Sequence, residues 1–355
     1  MQDFSGADWS TVSVFNMESI HSARGAGVKI FVNLLLRGAA WALAAIVVCG
    51  AARAQDYPTR PITVIIPFAG GSASDVVSRI LFDRMSTSMG QPIVVENRPG
   101  AGGNIGTAAV ARAAPDGYTL LGGGSGPVAA NVTLYKHLDY DPVKDFATIS
   151  PFVAFTIIVA ASAKLPVHSL QELIAYAKAR PGQLNYGSVG VGSSQHLAGE
   201  YFSQLAGVKI THVPYKNIGQ YASDLMSGQV PLGFQWYPNV AAALQAKGAN
   251  ALAVAGANRL AILPDTPTTK EAGLPQYTVS GWFSLLVPNG TPQGILVKLS
   301  DEMKTALADP QLRASFQRQG AEPVYLPPDQ APKFMADEIA KYRDIIIKAG
   351  ISQIE

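Results

Sequence analysis

Three times in this sequence a short apolar run, rich in β-branched residues, stops at a glycine- and serine-rich break and gives way to a helical pattern. The breaks span 67–74, 121–127 and 186–194. The first reads "VIIPFAGGSASD" from Val64 to Asp75. Strand, tight turn and helix in this order build parallel sheets covered by helices. Each break also brings backbone N–H groups and serine hydroxyls to the positive end of a helix, which is a cradle for an anion.

The rest of the chain extends that pattern. Residues 62–66 alternate as a strand, and Ser74 opens a helix through about Met85. Strands follow at 92–95 and 119–121, with a second helix from Asn104 or Thr107 to about Ala113 between them. "NRPGAGG", 97–103, is a turn that requires positive φ somewhere. Residues 146–160 form a long apolar run, read as a strand leaving the first unit. Ser169 and Glu172 form a capping box for a helix to Ala179. A second α/β unit follows, with strands at 184–187, 210–213, 230–234 and 251–254. Its helices are expected at 194–205, 218–226 and 239–245. The apolar run 277–287 matches the earlier long run and brings the chain back. Helices near 292–307, 310–317 and 328–349 then start at or near prolines and pack on the first unit. The fold class is α/β with two lobes and two crossover strands. Residues 57–152 plus 283–355 form lobe 1, and 153–282 form lobe 2. Ligands of open α/β sheets bind where strand C-termini face a crevice, here between the lobes.

The N-terminus reads as a leader. Lys29 and Arg37 precede an apolar stretch, and Ala52-Arg53-Ala54 is a small-residue cleavage signal. The stretch is short for a span of ~20 residues. Cleavage after Ala54 removes four basic and three acidic residues and takes the formal charge from +2 to +1. It also removes Cys49, the single cysteine. The mature chain then has no thiol for catalysis, disulfides or zinc. With 48% hydrophobic and 15% charged residues in 355, the chain can build a full core. Its near-neutral charge gives no footprint for nucleic acid.

Catalytic motifs fail one by one. There is no G-x-x-x-x-G-K-[ST], and "GAGGNIG" places Ile105 where a dinucleotide fingerprint needs glycine. Ser125 in "GGGSGP" lacks the second glycine of a nucleophile elbow. His137, His168, His196 and His212 show no metal-ligand spacing. His196, in the first turn of a helix, is read as a structural histidine bonding loop carbonyls. No cofactor is expected. What remains is the three neutral loops. Hydrogen bonds from neutral donors to a carboxylate contribute ~1.5–3 kcal/mol each, so several suffice for micromolar binding, about −8 kcal/mol.

Long segments of the sequence resemble a known family. They include "YPTRPITVIIPFAGGSASDVVSRIL", "GQPIVVENRPGAGGNIGTAAVARAAPDGYTLL", "PGQLNYGSVGVGSSQHLAGE", "THVPYK", "ALAVAGANRLAILPDTPTTKEAGLP" and "GWFSLLVPNGTP". In order, from Tyr57 to about Ile351, they are similar to the Bug-type solute receptors of tripartite tricarboxylate transporters. The resemblance implies a type II periplasmic binding protein fold, a Venus flytrap. It implies a carboxylate ligand, no catalysis, a periplasmic location and membrane permease subunits as partners. A monomer is expected. Mapped onto this sequence, the family's site falls on Phe68, Ser72, Ala73 and Ser74 in the first loop and Ser125 in the second. It falls on Ser188, Gly190, Ser193 and Ser194 in the third. One departure stands out. After the strand ending at Phe234 the family commonly has an acidic residue, in a pattern like F-D-x-x-P. Here "FQWYPN" gives Gln235, Trp236 and Tyr237. Losing the carboxylate removes a partner for a ligand ammonium group and a repulsion against a second ligand carboxylate. The expected ligand is therefore a non-amino di- or tricarboxylate or other small carboxylate, with an aromatic one also open. Trp236 and Tyr237 either wall its apolar body or serve packing. The receptor could feed a transporter or a sensor kinase ectodomain, and an exported enzyme is the third class considered.

Overall fold

The computed structural model describes residues 57–355. The expected leader, its cut after Ala54 and Cys49 lie outside the described residues. The chain begins with β1 (Ile62–Ile66), α1 (Ala73–Met89), β2 (Ile93–Asn97), α2 (Asn104–Ala111) and β3 (Thr119–Gly124). Next come α3 (Asn131–Leu134), β4 (Phe146–Thr156), β5 (Ile158–Ser162) and α4 (Leu170–Lys178). Then follow β6 (Leu184–Ser188), α5 (Ser194–Ala206), β7 (Ile210–Pro214), α6 (Ile218–Ser227), β8 (Leu232–Gln235), α7 (Tyr237–Gln245) and β9 (Ala249–Val254). The chain closes with β10 (Ser280–Pro288), α8 (Gln293–Ala308), α9 (Pro310–Arg318), β11 (Ala321–Pro323) and α10 (Ala331–Lys348).

Two mixed sheets result. The first has the order β11-β4-β10-β3-β1-β2 and the second β7-β6-β8-β5-β9. β1 lies parallel between β2 and β3, and β6 lies parallel between β7 and β8. The strands that carry the chain between sheets run against these. β10 is antiparallel to β3 and β4, and β5 is antiparallel to β8 and β9.

The expected long strand over 146–160 is two strands, because the chain changes sheets at Ile157. There Ile157 N–H donates to Val279 O, Val279 N–H to Ala255 O, and Ala255 N–H to Ile157 O. Three extended segments thus pass side by side between the sheets. β4 and β10 stay paired as far as Thr156 and Ser280. The expected lobe limits at 152/153 and 282/283 therefore fall inside this pair, a few residues within the first sheet.

Local chemistry explains most element ends. Ser169 Oγ caps α4 by accepting from Glu172 N–H, while the Glu172 carboxylate reaches back to His168 N–H, one residue earlier than a strict capping box. Asp309 caps α9 through Gln311 and Leu312 N–H, ahead of Pro310 at the first helical position. The C-terminal helices pack on the first sheet's side, α8 and α9 against α1 and α10 against β4. Glu338 on α10 accepts from Trp282 Nε1–H at 2.6 Å, and Tyr342 OH donates to Ser280 O. The segment 126–134 is helical, opening with a wide turn in which Asn131 N–H bonds Gly126 O. Val128, Ala129 and Ala130 are fully buried. A helical turn buried all round from 126 to 131 carries no amphipathic signal.

Candidate functional site

The loops after β1, β3, β6 and β8 meet where the two sheets face each other. The first is fixed from below. Asp75 accepts from Gly71 N–H at 2.8 Å, from Arg79 Nε at 2.9 Å and from Asn97 Nδ2 at 3.0 Å. Burial works against the Asp75 charge, but the bonds from Arg79, Gly71 and Asn97 and the Arg79 charge outweigh it. They hold the carboxyl below its ordinary range. Ser72 occupies the N-cap of α1 without using its side chain to cap a helix amide. Its Oγ instead meets Ser74 Oγ at 2.8 Å. First-turn amides have no partner inside a helix, and that of Ala73 donates to Asn239 Oδ1 at 2.9 Å, across from the second sheet.

The other loops complete the enclosure. Ser125, after β3, and Ser194, opening α5, share a hydrogen bond of 2.7 Å between their hydroxyls. Trp236, at the N-cap of α7, stacks on Phe155 with ring centres 4.9 Å apart and meets Phe283 edge-on at 5.3 Å. Between these groups lies a cavity of about 10 Å³, room for about one water. Phe68, Ser72, Ala73, Ser74 and Ser125 line it on one side. Ser194, Gln195, Trp236 and Asn239 line it on the other, with Phe283 beneath. No charged side chain touches it. Two donors in this lining have no acceptor, Gln195 Nε2 and Trp236 Nε1, although their residues are only 1% and 4% exposed. A buried donor left unpaired costs about 1–3 kcal/mol, so both sites favour an acceptor-rich guest.

Of the residues expected in the site, Phe68, Ser72, Ala73, Ser74, Ser125, Ser194 and Trp236 come together in this lining. Four do not. Ser188 Oγ is held by His212 Nε2 at 2.6 Å and by the Gly190 backbone. Ser193 is the N-cap of α5, bonding His196 N–H and Gly190 O. Gly190 lines a neighbouring pocket nearer the surface. Gln235 is fully buried behind the cavity. It donates to Gly187 O at 2.9 Å and accepts from Asn239 Nδ2 at 2.8 Å. It therefore orients Asn239, which sequence reasoning missed, and whose amide does line the cavity. Gln195 was missed too, although its place two residues after the N-cap puts it in the first turn of α5, beside Ser194. The aromatic pair divides. Trp236 faces the cavity, while Tyr237 packs in the core of the second sheet.

His196 is structural, but by a different bond than expected. Its Nδ1 accepts from the loop amide of Gly192 at 3.2 Å rather than bonding carbonyls, which places its proton on Nε2. Its ring lies 4.2 Å from that of His212. Burial lowers His196 to about 4. Burial, with the neighbouring His196, lowers His212 to about 3. Among the described residues no cluster of side chains could hold a metal ion, and no helix is long and apolar enough to cross a membrane.

The model of a family described as the tripartite tricarboxylate transporter family receptor matches residues 77–351. Protein BugT of Bordetella pertussis is 37% identical over 298 residues, covering 84% of this chain and 91% of that protein. Among solved structures, R. palustris Rpa4515 with adipate superposes with a TM-score of 0.81 at 35% identity, covering 84% of this chain and all of that one. The periplasmic binding protein BugD gives 0.80 at 32% identity, with 84% of this chain and 100% of that one covered. MatC from Rhodopseudomonas palustris with bound malate gives 0.76 at 32% identity, over 82% of this chain and 100% of that one. The α/β architecture with two sheets is thus that of periplasmic solute-binding proteins.

Proposed function

The chain belongs to the family of tripartite tricarboxylate transporter receptors, and we propose that its cleft captures a small non-amino carboxylate by closing on it. The observation that carries this reading is the pair of buried, unpartnered N–H donors, Gln195 and Trp236, in a cavity with no charged side chain. A carboxylate offers about four acceptor sites on two oxygens. It can therefore satisfy both donors and the serine hydroxyls at once.

A cavity of about 10 Å³ does not admit such a molecule, so the sheets must part for entry. Two of the bonds that span them, Ser125 to Ser194 and Ala73 to Asn239, lie in the site itself, and Tyr135 OH to Val191 O and Gln204 Nε2 to Lys348 O cross beside it. The passage at Ile157, Ala255 and Val279 is extended backbone that can absorb a hinge rotation. A ligand bridging the two loop sets favours the closed form by its differential contacts with it. The closed monomer, in the periplasm, then hands its ligand to the membrane permease subunits. Similar proteins solved with adipate and malate support the ligand class.

A thermal-shift screen across carboxylates, amino acids and neutral sugars tests this. A binder at a hundredfold over its dissociation constant adds ~2.7 kcal/mol. Stabilisation by non-amino carboxylates is expected. Stabilisation by sugars alone, or calorimetric binding of aspartate or glutamate equal to that of dicarboxylates, refutes the reading.

A further inference from the structure

We infer that the cleft has a second compartment outside the Phe68 ring, which takes the far carboxylate of an elongated dicarboxylate and reads its charge through Lys216. The inference rests on the carboxylate reading above and names the shape of the ligand. A cavity of about 210 Å³ adjoins the inner one, and Phe68 and Val189 belong to both linings. Phe68 is the partition. Its ring meets Phe283 edge-on at 6.1 Å, and a Cβ on Gly103 would lie 3.4 Å from its tip.

The outer walls come from both sheets. Pro67 and Pro99 stand on one side, Val191 and Pro214 on the other. These are apolar surfaces suited to a hydrocarbon spacer. The walls close by backbone contact, for a Cβ on Gly102 would lie 2.1 Å from Val191 O. The outer compartment, like the inner one, therefore takes shape when the two loop sets approach.

Charge enters at one point. Lys216 is the only charged side chain in either lining, and it makes no ion pair or hydrogen bond among the described residues. Its neighbour Tyr215 is engaged, donating to Asp224 at 2.6 Å. An exposed ammonium on a flexible stem suits a carboxylate that stays partly in water at the mouth. The inner donors are neutral and buried, and they suit the carboxylate that is fully withdrawn. The two ends of the cleft thus differ in kind, and a molecule with a carboxylate at each end of an apolar spacer matches both.

The test is calorimetry on straight-chain monocarboxylates and α,ω-dicarboxylates, matched in length from four to eight carbons. It compares the unmodified chain with Lys216→Ala, Lys216→Glu and Lys216→Arg. Loss of a charge pair at an exposed rim is expected to weaken the longer diacids about threefold to fivefold in Lys216→Ala. The monoacids should stay within about twofold. Lys216→Glu should weaken the diacids further, and Lys216→Arg should retain them. Equal weakening of mono- and diacids, or no change in either, overturns the inference and leaves the carboxylate reading standing. Absence of binding by every carboxylate to the unmodified chain overturns both. Lys216 is exposed, so an unchanged melting midpoint in all three variants shows that the differences belong to the ligand.

Discussion

Gly281→Ala separates the closed form from the fold. Gly281 lies on β10, opposite Phe155 of β4, and its backbone needs no positive φ. A Cβ there would stand 2.3 Å from Trp236 Cζ2 and 3.2 Å from both Ser125 Oγ and Ser194 Oγ. An ordinary carbon contact begins near 3.4 Å. The indole must therefore retreat by about 1 Å, against a stack on Phe155 that holds it. Overpacking of this kind costs ~1–3 kcal/mol. The methyl belongs to the first sheet and the indole to the loop after β8 in the second, so the clash exists only when the sheets meet. The open form escapes it. A penalty of that size confined to the closed form lowers ligand affinity about 5- to 150-fold. The melting midpoint without ligand should move little, since the substitution also restricts the unfolded chain. Calorimetry with the best carboxylate from the screen, beside thermal melts with and without it, reads both quantities. Unchanged affinity with a lowered melting point would refute the reasoning, because the contact would then belong to one rigid core.

Three further outcomes follow from the site. Trp236→Phe keeps the ring against Phe155 but removes the Nε1 donor, and calorimetry should show carboxylate affinity falling about tenfold or more; full affinity would mean the indole N–H does not meet the ligand. Ser193→Ala removes the α5 cap to His196 N–H and the bond to Gly190 O. It should cost ~1 kcal/mol in denaturant unfolding while affinity holds within about twofold, and the reverse pattern would return Ser193 to the binding surface. The third concerns pH. His196 and His212 titrate near 4 and 3 when folded but near ~6.5 when unfolded. Their neutral forms thus support the fold fully above about pH 6.5, and that support is lost as pH falls toward the folded values. Each histidine should remove about 1.4 kcal/mol per pH unit across that window. Urea midpoints that stay flat from pH 7.5 to 4.5 would contradict this.

The sequence made the sheets legible because strands here are short, β-branched and bounded by glycine or proline, as at 62–66 and 210–214. Its blind spots have physical causes. The helical segment 126–134 is buried from 126 through 131 and turns the apolar Val132 to solvent, so no polar face gives it a period. The three-residue β11 is too short for alternation to register. The break at Ile157 is invisible because the residue is as apolar as its neighbours, and only pairing with Val279 and Ala255 reveals the change of sheet. In the site, the loops were legible from composition, but which hydroxyls face inward was not. Ser193 and Ser194 are adjacent and alike; one caps α5 and the other meets Ser125. The family's acidic position suggested that Gln235 meets the ligand. Its amide instead reaches the ligand space through Asn239, four residues on, a relation set by α7 beginning immediately after β8.

The loop that first suggested an anion cradle needs a more specific account than a helix's positive end. Asp75 sits in the first turn of α1, ionised and 5% exposed. A carboxylate there offsets the partial positive charge of the helix N-terminus. Arg79 in turn offsets Asp75, through a bond of 2.9 Å. The long-range field at this jaw is therefore close to balanced, and little remains to draw an anion in general. What distinguishes a carboxylate at this end is donor placement: the indole and amide N–H groups, the serine hydroxyls, and an Ala73 N–H that already donates to the side-chain oxygen of Asn239 in its place. A site of that kind selects by the number and direction of acceptor atoms, and it gains its full set of donors only when both sheets contribute. On the proposed reading closure and recognition are the same event, since Gln195 and Trp236 stand on one sheet's loops while Ser72 and Ser74 stand on the other's. An anion of the wrong shape finds at most half of these donors, and half of them gives it no preference for the closed form.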